Sequence, residues 1–257
     1  MPVRDSVPAG APIWIDLSSS DQQRSQDFYS QVFGWTYQDT GPDYGNYVNF
    51  SKNGTLIAGM SQNLQQGVPD TWTVYLASDN AKASAEEVLT AGGQILMEPM
   101  AVRALGTMAV VSDPSGAVVG IWEPGEHRGY GLAGEPGTPA WLELHTHDYG
   151  AALRFYQQAF GWTTTVLSDS DDFRYTVYEM DDQQYAGIMD ASAFLPSGVA
   201  SNWQIYLQVA DIDATLDQIE DLGGSVLEPA QDSPYGQLAQ VADPTGAVFK
   251  LLTPPDR

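Results

Sequence analysis

The 257-residue sequence contains no cysteine and only three histidines. Disulfides, thiolate nucleophiles and thiolate metal sites are therefore excluded. Basic residues are also scarce, because 10 Lys and Arg face 33 Asp and Glu, which gives a formal net charge of −23. A charge of this size repels phosphate backbones and anionic lipid headgroups. We therefore expect no nucleic-acid partner.

Long apolar runs are missing as well. No segment reaches the roughly 18 apolar residues that a membrane span needs. Residues 1–10 lack the positively charged start and apolar run of a secretory signal. We therefore expect a cytoplasmic protein without a membrane partner. The 43% of hydrophobic residues is sufficient to fill two packed cores.

What the sequence has in quantity is internal repetition. Phe28 to Trp35 recurs as Phe155 to Trp162 at an offset of 127 positions (155 − 28), with six of the eight residues identical. Three further matches follow in the same order: Trp72 to Leu76 with Trp203 to Leu207, Gly92-Gly93 with Gly223-Gly224, and Asp113-Pro-Ser-Gly with Asp243-Pro-Thr-Gly. This pattern predicts a tandem duplication, with domains at 11–125 and 138–255 and a Gly/Pro-rich linker at 126–137.

Each half carries the periodicities of both strands and helices. Ile13 to Leu17 alternates as a half-buried strand does, and a helix follows that Asp21 opens and Gly34 closes. The aromatic stripe of this helix predicts core packing. Lys52-Asn53-Gly54 predicts a hairpin turn, and the Asp-Pro-x-Gly segments predict turns between strands. The series predicts an α+β fold with β-α-β-β-β twice in each half.

These motifs resemble those of the vicinal oxygen chelate superfamily, which includes glyoxalase I, bleomycin-resistance proteins and extradiol dioxygenases. The resemblance covers nearly the whole chain and is closest to two-domain glyoxalase-like and hydroxylase-like members. It implies that each half forms a curved mixed-sheet cup with helices outside, and that the cups bind a small organic molecule. In the family, a divalent metal in the cup is held by His, Gln or Glu and polarises substrate oxygens.

The positions that match the family's metal ligands carry unsuitable residues here. They fall on Trp14, Met60, Thr73 and Gly120 in the first half and on Trp141, Met189, Gln204 and Lys250 in the second. Only Gln204 suits a hard cation, and Lys250 would repel one. We therefore expect no metal and no other cofactor. A relocated metal site at Glu143, His145 and Gln204 is the alternative.

The second half offers the better candidates for catalysis. Strand alternation places Trp141, Glu143 and His145 on one face. In an apolar cup, desolvation would raise the pKa of Glu143 and make it a general base, with His145 or Tyr206 as proton donor and Lys250 as the third member of the set. The alternative is a structural pair of Glu143 with Lys250. The remaining histidines, His127 in the linker and His147 before the helix, are expected to face the solvent.

Aromatic side chains at the lost ligand positions favour planar ligands. The residues expected to contact the ligand are Trp14, Asp16, Thr73, Tyr75 and Trp122 in the first cup and Trp141, Gln204 and Tyr206 in the second. The first hypothesis is a metal-independent enzyme with lyase, isomerase or hydroxylase-like chemistry on an oxygenated or aromatic metabolite. The alternative is a non-catalytic, sequestering protein of the bleomycin-resistance type. A monomer is consistent with either, because the two domains can pair within one chain.

Overall fold

A computed structural model describes residues 6–170, 172–196 and 198–255. The elements of the first half are β1 (Pro12–Ser19), α1 (Gln22–Phe33), β2 (Thr36–Asp39), a 3₁₀ helix (Pro42–Tyr44), β3 (Val48–Lys52), β4 (Thr55–Gln62), β5 (Thr71–Ala77), α2 (Ala81–Thr90), β6 (Gln94–Val102), β7 (Gly106–Ser112) and β8 (Val118–Pro124). None of the helices in the described ranges has the length and apolar character needed to cross a membrane.

The second half repeats the order of the first. Its elements are β9 (Pro139–Thr146), α3 (Tyr149–Phe160), β10 (Thr164–Asp169), β11 (Arg174–Met180), β12 (Gln183–Asp190), β13 (Asn202–Gln208), α4 (Ile212–Asp221), β14 (Ser225–Ser233), β15 (Gly236–Ala242) and β16 (Val248–Thr253).

Each half is built on one eight-stranded mixed sheet. The strand order β2-β3-β4-β1-β5-β8-β7-β6 of the first sheet recurs as β10-β11-β12-β9-β13-β16-β15-β14 in the second. Strand β1 pairs in parallel with β4, and β5 pairs in parallel with β8. The antiparallel pair of β1 and β5 joins these two modules at the centre of the sheet. The predicted α+β class, with two βαβββ modules in each half, is confirmed.

The residues predicted to end the first helix and to form the hairpin turn have these roles in the structure. The Asp21 side chain caps α1 by accepting a hydrogen bond from the Arg24 amide, and Gly34 ends the helix in the left-handed conformation. Asn53 and Gly54 both have positive φ, at 53° and 78°. Strand β2 was not predicted from the sequence. All four of its residues are exposed at the sheet edge, so no alternation of polar and apolar residues marks it.

The helices lie between the two sheets, where both halves share a single hydrophobic core. Helix α2 packs against α3, and α1 packs against α4. The rings of Phe28 and Tyr29 on α1 lie 6.4 and 5.8 Å from the ring of Phe249 on β16. The aromatic stripe is therefore core, as predicted, and it belongs to the core of both halves.

The repeated motifs meet each other across this core. The Tyr29 hydroxyl donates to Asp243 Oδ2 at 3.1 Å, so the Phe-Tyr motif of the first half binds the Asp-Pro-Thr-Gly turn of the second. Tyr156 lies beside Asp113 in the equivalent position of the other half. Asp243 also accepts from the Ala247 amide within its own turn. These turns therefore have a second role at the contact between the halves, which their sequence does not show.

A second reciprocal pair of hydrogen bonds involves the Gly-Trp motifs. Trp35 Nε1 donates to the Gly137 carbonyl at 2.7 Å, and Trp162 Nε1 donates to the Gly10 carbonyl at 2.9 Å. Each tryptophan thus fixes the segment that enters the first strand of the opposite half.

The segment between the sheets packs against the first one. The Tyr130 amide donates to the Ile13 carbonyl at 3.0 Å, and the Gly131 amide donates to the Leu56 carbonyl at 2.8 Å. The side chains of Tyr130 and Leu132 are buried. This segment therefore forms part of the wall around the first sheet.

We expect Tyr29→Phe to lower the free energy of unfolding by about 1–3 kcal/mol, because it removes a donor from a buried carboxylate. Urea denaturation of the full chain measures the change. Tyr37→Phe, at an exposed tyrosine of β2, is the control and should change stability by less than about 0.5 kcal/mol. Equal effects of the two substitutions would contradict a stabilising role for the contact between Tyr29 and Asp243.

Candidate ligand-binding cups

The first sheet encloses a cavity of about 1040 Å³. Its walls are mainly aromatic and apolar, and a few polar groups converge on it. Among the residues that line it are Trp14, Asp16, Tyr47, Tyr75, Met108, Trp122 and His127. Four of the ligand contacts predicted in this half, Trp14, Asp16, Tyr75 and Trp122, are therefore together. Thr73 pairs with Asp16 on the neighbouring strand but is not part of the cavity wall.

A chain of hydrogen bonds runs through the wall of this cavity. Trp14 Nε1 donates to the Tyr47 hydroxyl at 2.9 Å, and that hydroxyl donates to Asp16 Oδ2 at 3.0 Å. We call this tryptophan, tyrosine and carboxyl arrangement the relay. Gly59 on β4 makes room for it, because a Cβ atom at this position would overlap the Tyr47 hydroxyl.

The pKa of the Asp16 side chain, which lines this cavity, is raised. Burial raises its pKa to about 7, although the hydrogen bond from Tyr47 acts in the opposite direction. Among the described residues, no Lys, Arg or His nitrogen lies within 4 Å of its oxygens. Near neutral pH, Asp16 can therefore either donate or accept a proton.

His127 also lines the cavity, so the expectation that it faces the solvent is wrong. Its ring packs edge-on against Trp14, with 4.3 Å between centroids, and lies 5.3 Å from the ring of Trp122. Burial lowers its pKa to about 4, so the imidazole is neutral at pH 7. Its place after the last strand of the sheet gave no sequence signal for this contact. His147 is exposed, as expected.

An arginine connects the two ends of the sheet at the mouth of the cavity. Arg103, in the turn between β6 and β7, donates from Nη2 to the Asp43 carbonyl at 3.0 Å and forms a 3.6 Å ion pair with the Asp43 carboxylate. Its guanidinium lies 5.0 Å from the centre of the Tyr44 ring. The strand pair β2–β3 at one end of the sheet is thereby joined across the opening to the pair β6–β7 at the other end.

The second sheet repeats the relay with a different carboxylate. Trp141 Nε1 donates to the Tyr175 hydroxyl at 2.7 Å, and Tyr175 donates to Glu143 Oε2 at 2.5 Å. Glu143 Oε1 also accepts from Tyr206 at 3.0 Å and lies 2.7 Å from His145 Nε2. The strand alternation thus placed Glu143 and His145 correctly on one face, where they contact each other.

The prediction of a raised pKa for Glu143 is wrong. Burial acts to raise it, but the hydrogen bonds and charge of His145, together with those from Tyr175 and Tyr206, hold the pKa below its usual value. Glu143 is therefore an ionised carboxylate with several hydrogen-bond partners. The position of His145 is occupied by Ser18 in the first half, so the opposing shifts of Asp16 and Glu143 have a local cause.

Lys250 does not join this network as an ion pair. Within the described residues, no carboxylate lies within 4 Å of its ammonium, which sits 5.5 Å from the centre of the Tyr206 ring. Burial lowers its pKa, and the charges of Glu143 and Glu228 oppose this. The amide of Gln204 donates to Asn202. A cavity of about 190 Å³ next to Trp141 includes none of Glu143, His145 or Lys250 in its wall.

The donor set of neither cup fits the divalent metal of the resembled family. Among the residues described, no three His, Asp or Glu side chains are grouped as a metal site. Met60 pairs with Leu17 in the core, so its assignment to the cup is wrong, and Gly59 occupies the cup position. In the second half, Met189 pairs with His145. The oxygens of Glu143 are already engaged by protein donors, which also disfavours a relocated site.

Tyr47 and Tyr175, the central members of the two relays, were not predicted as site residues. They occupy equivalent places in the repeat, and each faces a glycine, Gly59 or Gly187, on the neighbouring strand. The repeated pair of a tyrosine and a glycine is the sequence pattern from which these two site residues could have been predicted. Met108 and Arg103 carried no comparable signal, because their role depends on the curvature of the sheet.

Comparison with known proteins agrees with this geometry. The model of the Glyoxalase/Bleomycin resistance protein/Dioxygenase superfamily matches residues 12–121 and 138–251. The chain belongs to this superfamily, with one copy of the family domain in each half.

Several relatives, including the following two, match over nearly the full chain. The anthracycline biosynthesis protein DnrV of Streptomyces peucetius is 38% identical over 260 residues, covering 95% of this chain and 93% of its own. CFP32 of Mycobacterium bovis, named as a candidate glyoxylase, is 35% identical over 260 residues, covering 99% of this chain and 98% of its own.

Among solved structures, the Mn(II)-bound glyoxalase from Novosphingobium aromaticivorans has a TM-score of 0.64 at 13% identity, covering 95% of this chain and 82% of that chain. The 2,3-dioxygenase LapB from Pseudomonas sp. KL28 has a TM-score of 0.66 at 10% identity, covering 96% and 92%. At these identities the likeness concerns the fold.

The raised pKa of Asp16 predicts how stability depends on pH. Between about pH 4 and 7 the unfolded chain releases this proton and the folded chain retains it, so wild-type stability falls as the pH rises. We expect the wild type to lose about 2–3 kcal/mol relative to Asp16→Asn over this range and nothing further above it. Urea denaturation from pH 3.5 to 8.5 measures the difference, with the values below pH 4 as internal reference. Parallel curves for the two proteins would contradict the raised pKa.

Proposed function

We propose that this protein binds a fused-ring, oxygenated aromatic metabolite in its first cup and transfers protons to and from it without a metal. The observation that carries this proposal is the cavity of about 1040 Å³ in which Asp16 lies among aromatic side chains. Ligand sites are typically apolar clefts of about 300–1,000 Å³ with a few converging polar groups. A cavity at the upper end of this range suits a multi-ring molecule better than a two- or three-carbon substrate.

The wall of the cavity supports the aromatic part of the proposal. Trp14, Trp122 and Tyr75 supply ring surfaces, and Met108 supplies an adaptable apolar contact. The relative from Streptomyces peucetius is named for anthracycline biosynthesis. Anthracyclines are fused-ring aromatic compounds, so a relative that shares the full chain length supports this ligand class.

Asp16 supports the catalytic part of the proposal. A carboxyl that titrates near neutral pH exchanges protons efficiently with a substrate, because both of its protonation states are populated. The Tyr47 hydroxyl holds one of its oxygens in place. Proton transfer of this kind supports isomerase or lyase chemistry and requires no oxidant.

A binding protein without catalysis is the second candidate. It is favoured by the tryptophan at the position matched to a metal ligand, because Trp14 offers a stacking surface and no reactive group. A sequestering protein would bind the aromatic ligand and leave it unchanged. Measuring turnover of a bound ligand separates the two candidates.

The second cup has a different role in this proposal. Glu143 accepts hydrogen bonds from Tyr175 and Tyr206 and contacts His145, so it is engaged by the protein and less available to a substrate. We therefore assign proton transfer to Asp16 in preference to the set of Glu143, His145 and Lys250. The second cup then supports the first by completing the shared core.

Filling the first cavity should weaken binding of a fused-ring ligand. Met108→Trp is expected to lower the affinity for anthrone, a neutral tricyclic ketone, by about tenfold or more (about 1.4 kcal/mol) in anaerobic titration calorimetry. Leu238 occupies the equivalent place in the second sheet, because it pairs with Leu252 as Met108 pairs with Trp122. Leu238→Trp is therefore the matched control and should leave the affinity unchanged. The opposite pattern would place the ligand in the second cup.

Metal independence is tested by elemental analysis. After incubation with Fe, Mn, Ni, Co and Zn salts and gel filtration, we expect far less than one ion per chain, because neither cup presents a suitable donor set. Treatment with a chelator should leave anthrone binding unchanged. One tightly held ion per chain would contradict the proposal and require a metal site at other residues.

A further inference from the structure

We propose that Asp16 and His127 form a proton-donor and proton-acceptor pair in the first cavity, and that its substrates are fused-ring aromatic ketones that tautomerise to phenols. This inference rests on the proposed function, because it concerns the same cavity. It adds a second reacting group and a class of substrate.

The geometry places both groups beside the same tryptophan. Asp16 is connected to Trp14 through the Tyr47 hydroxyl, and His127 packs directly on the Trp14 ring. Both side chains line the cavity. A planar ligand that lies along Trp14 can therefore meet the carboxyl and the imidazole at different points of its edge.

The hydrogen bonds of His127 leave its ring free for a ligand. Its backbone amide donates to the Leu105 carbonyl at 3.0 Å, and its carbonyl accepts from Trp122 Nε1 at 2.9 Å. The backbone is thereby fixed from two sides. Among the described residues, the imidazole contacts the aromatic rings of Trp14 and Trp122, and these contacts position its nitrogens without engaging them.

The environment of the pair reverses the usual order of acidity of an aspartate and a histidine. Between about pH 4 and 7, Asp16 is a neutral acid and His127 is a neutral base. Two titratable groups whose pKa values are pushed in opposite directions mark an acid and a base. The titratable groups near Asp16 are Tyr47 and Tyr75, and the other charged residues that line the cavity are Asp43, Arg103, Glu126 and Arg128.

The proton transfers balance without a further reactant. A proton from a ring carbon of the ketone passes to a nitrogen of His127, and the electron pair of that C–H bond forms a new ring double bond. The carbonyl oxygen takes the proton of Asp16 as its π bond opens. The products are a phenol, the Asp16 carboxylate and the His127 imidazolium. After the phenol leaves, the imidazolium of His127 releases its proton to water and the Asp16 carboxylate takes one up from water, so both side chains are restored and the net reaction is an isomerisation. Direct reversal of the two transfers returns the ketone and exchanges its hydrogen with solvent.

Anthrone is a suitable probe because its C10 hydrogens exchange with solvent through the phenol tautomer. In D₂O under nitrogen, ¹H NMR measures the loss of these hydrogens, and calorimetry measures binding in parallel. We expect the wild type to accelerate exchange, with a bell-shaped pH dependence between about pH 4 and 7. His127→Phe should slow the catalysed exchange by about 100-fold or more while the dissociation constant changes by less than about threefold.

The remaining variants make the test decisive. His127→Asn, which keeps a polar side chain that cannot take up the proton, should lose exchange as His127→Phe does, and Asp16→Asn should lose it too. His147→Phe, at an exposed histidine, is the control and should exchange as the wild type does. Two results would overturn the pair. In the first, bound anthrone exchanges its C10 hydrogens equally fast in wild type and His127→Asn. In the second, anthrone binds to the wild type but its exchange is not accelerated. Failure of anthrone to bind would instead overturn the proposed function.

Discussion

The contact between Tyr29 and Asp243 is the constraint on which the arrangement of the two halves depends. It joins the helix motif of one repeat to the turn motif of the other inside a shared core. The carboxylate there is buried, and its hydrogen bonds must be completed within the protein. Because the helices occupy the space between the sheets, the opposite face of each sheet is left to form a cup. The duplication therefore yields two cups whose chemistry can change separately.

The relay is repeated in both cups, but its carboxyl group has a different acidity in each. Both contain a tryptophan that donates to a tyrosine and a tyrosine that donates to a carboxyl group. In the second cup His145 adds a close partner, and Glu143 is kept ionised. In the first cup Ser18 stands at that position, and Asp16 retains its proton up to near neutral pH. His145 in place of Ser18, together with the hydrogen bond from Tyr206, thus separates a carboxylate engaged by the protein from one available to a ligand.

Much of the fold followed from local patterns. Asp21 and Gly34 determine the ends of α1, and the Asn53-Gly54 pair forms the hairpin turn. These effects are confined to adjacent residues, so they could be predicted from the local sequence. The face of strand β9 was predicted equally well, because alternation depends on the strand alone. The site was harder, since the acidity of Asp16 and Glu143 depends on residues brought in by other strands. His127 was missed because only the folded sheet brings it against Trp14.

Gly59 and Gly187 have a consequence for how this protein can change over generations. Each lies under the hydroxyl of a relay tyrosine, and any larger side chain there would overlap that hydroxyl. Substitutions at Tyr47 and Gly59 therefore constrain each other, as do substitutions at Tyr175 and Gly187. A tyrosine can be lost while its glycine remains, but the glycine cannot be replaced first without displacing the ring. Among descendants of this chain, the order of substitutions at these pairs should therefore run in one direction.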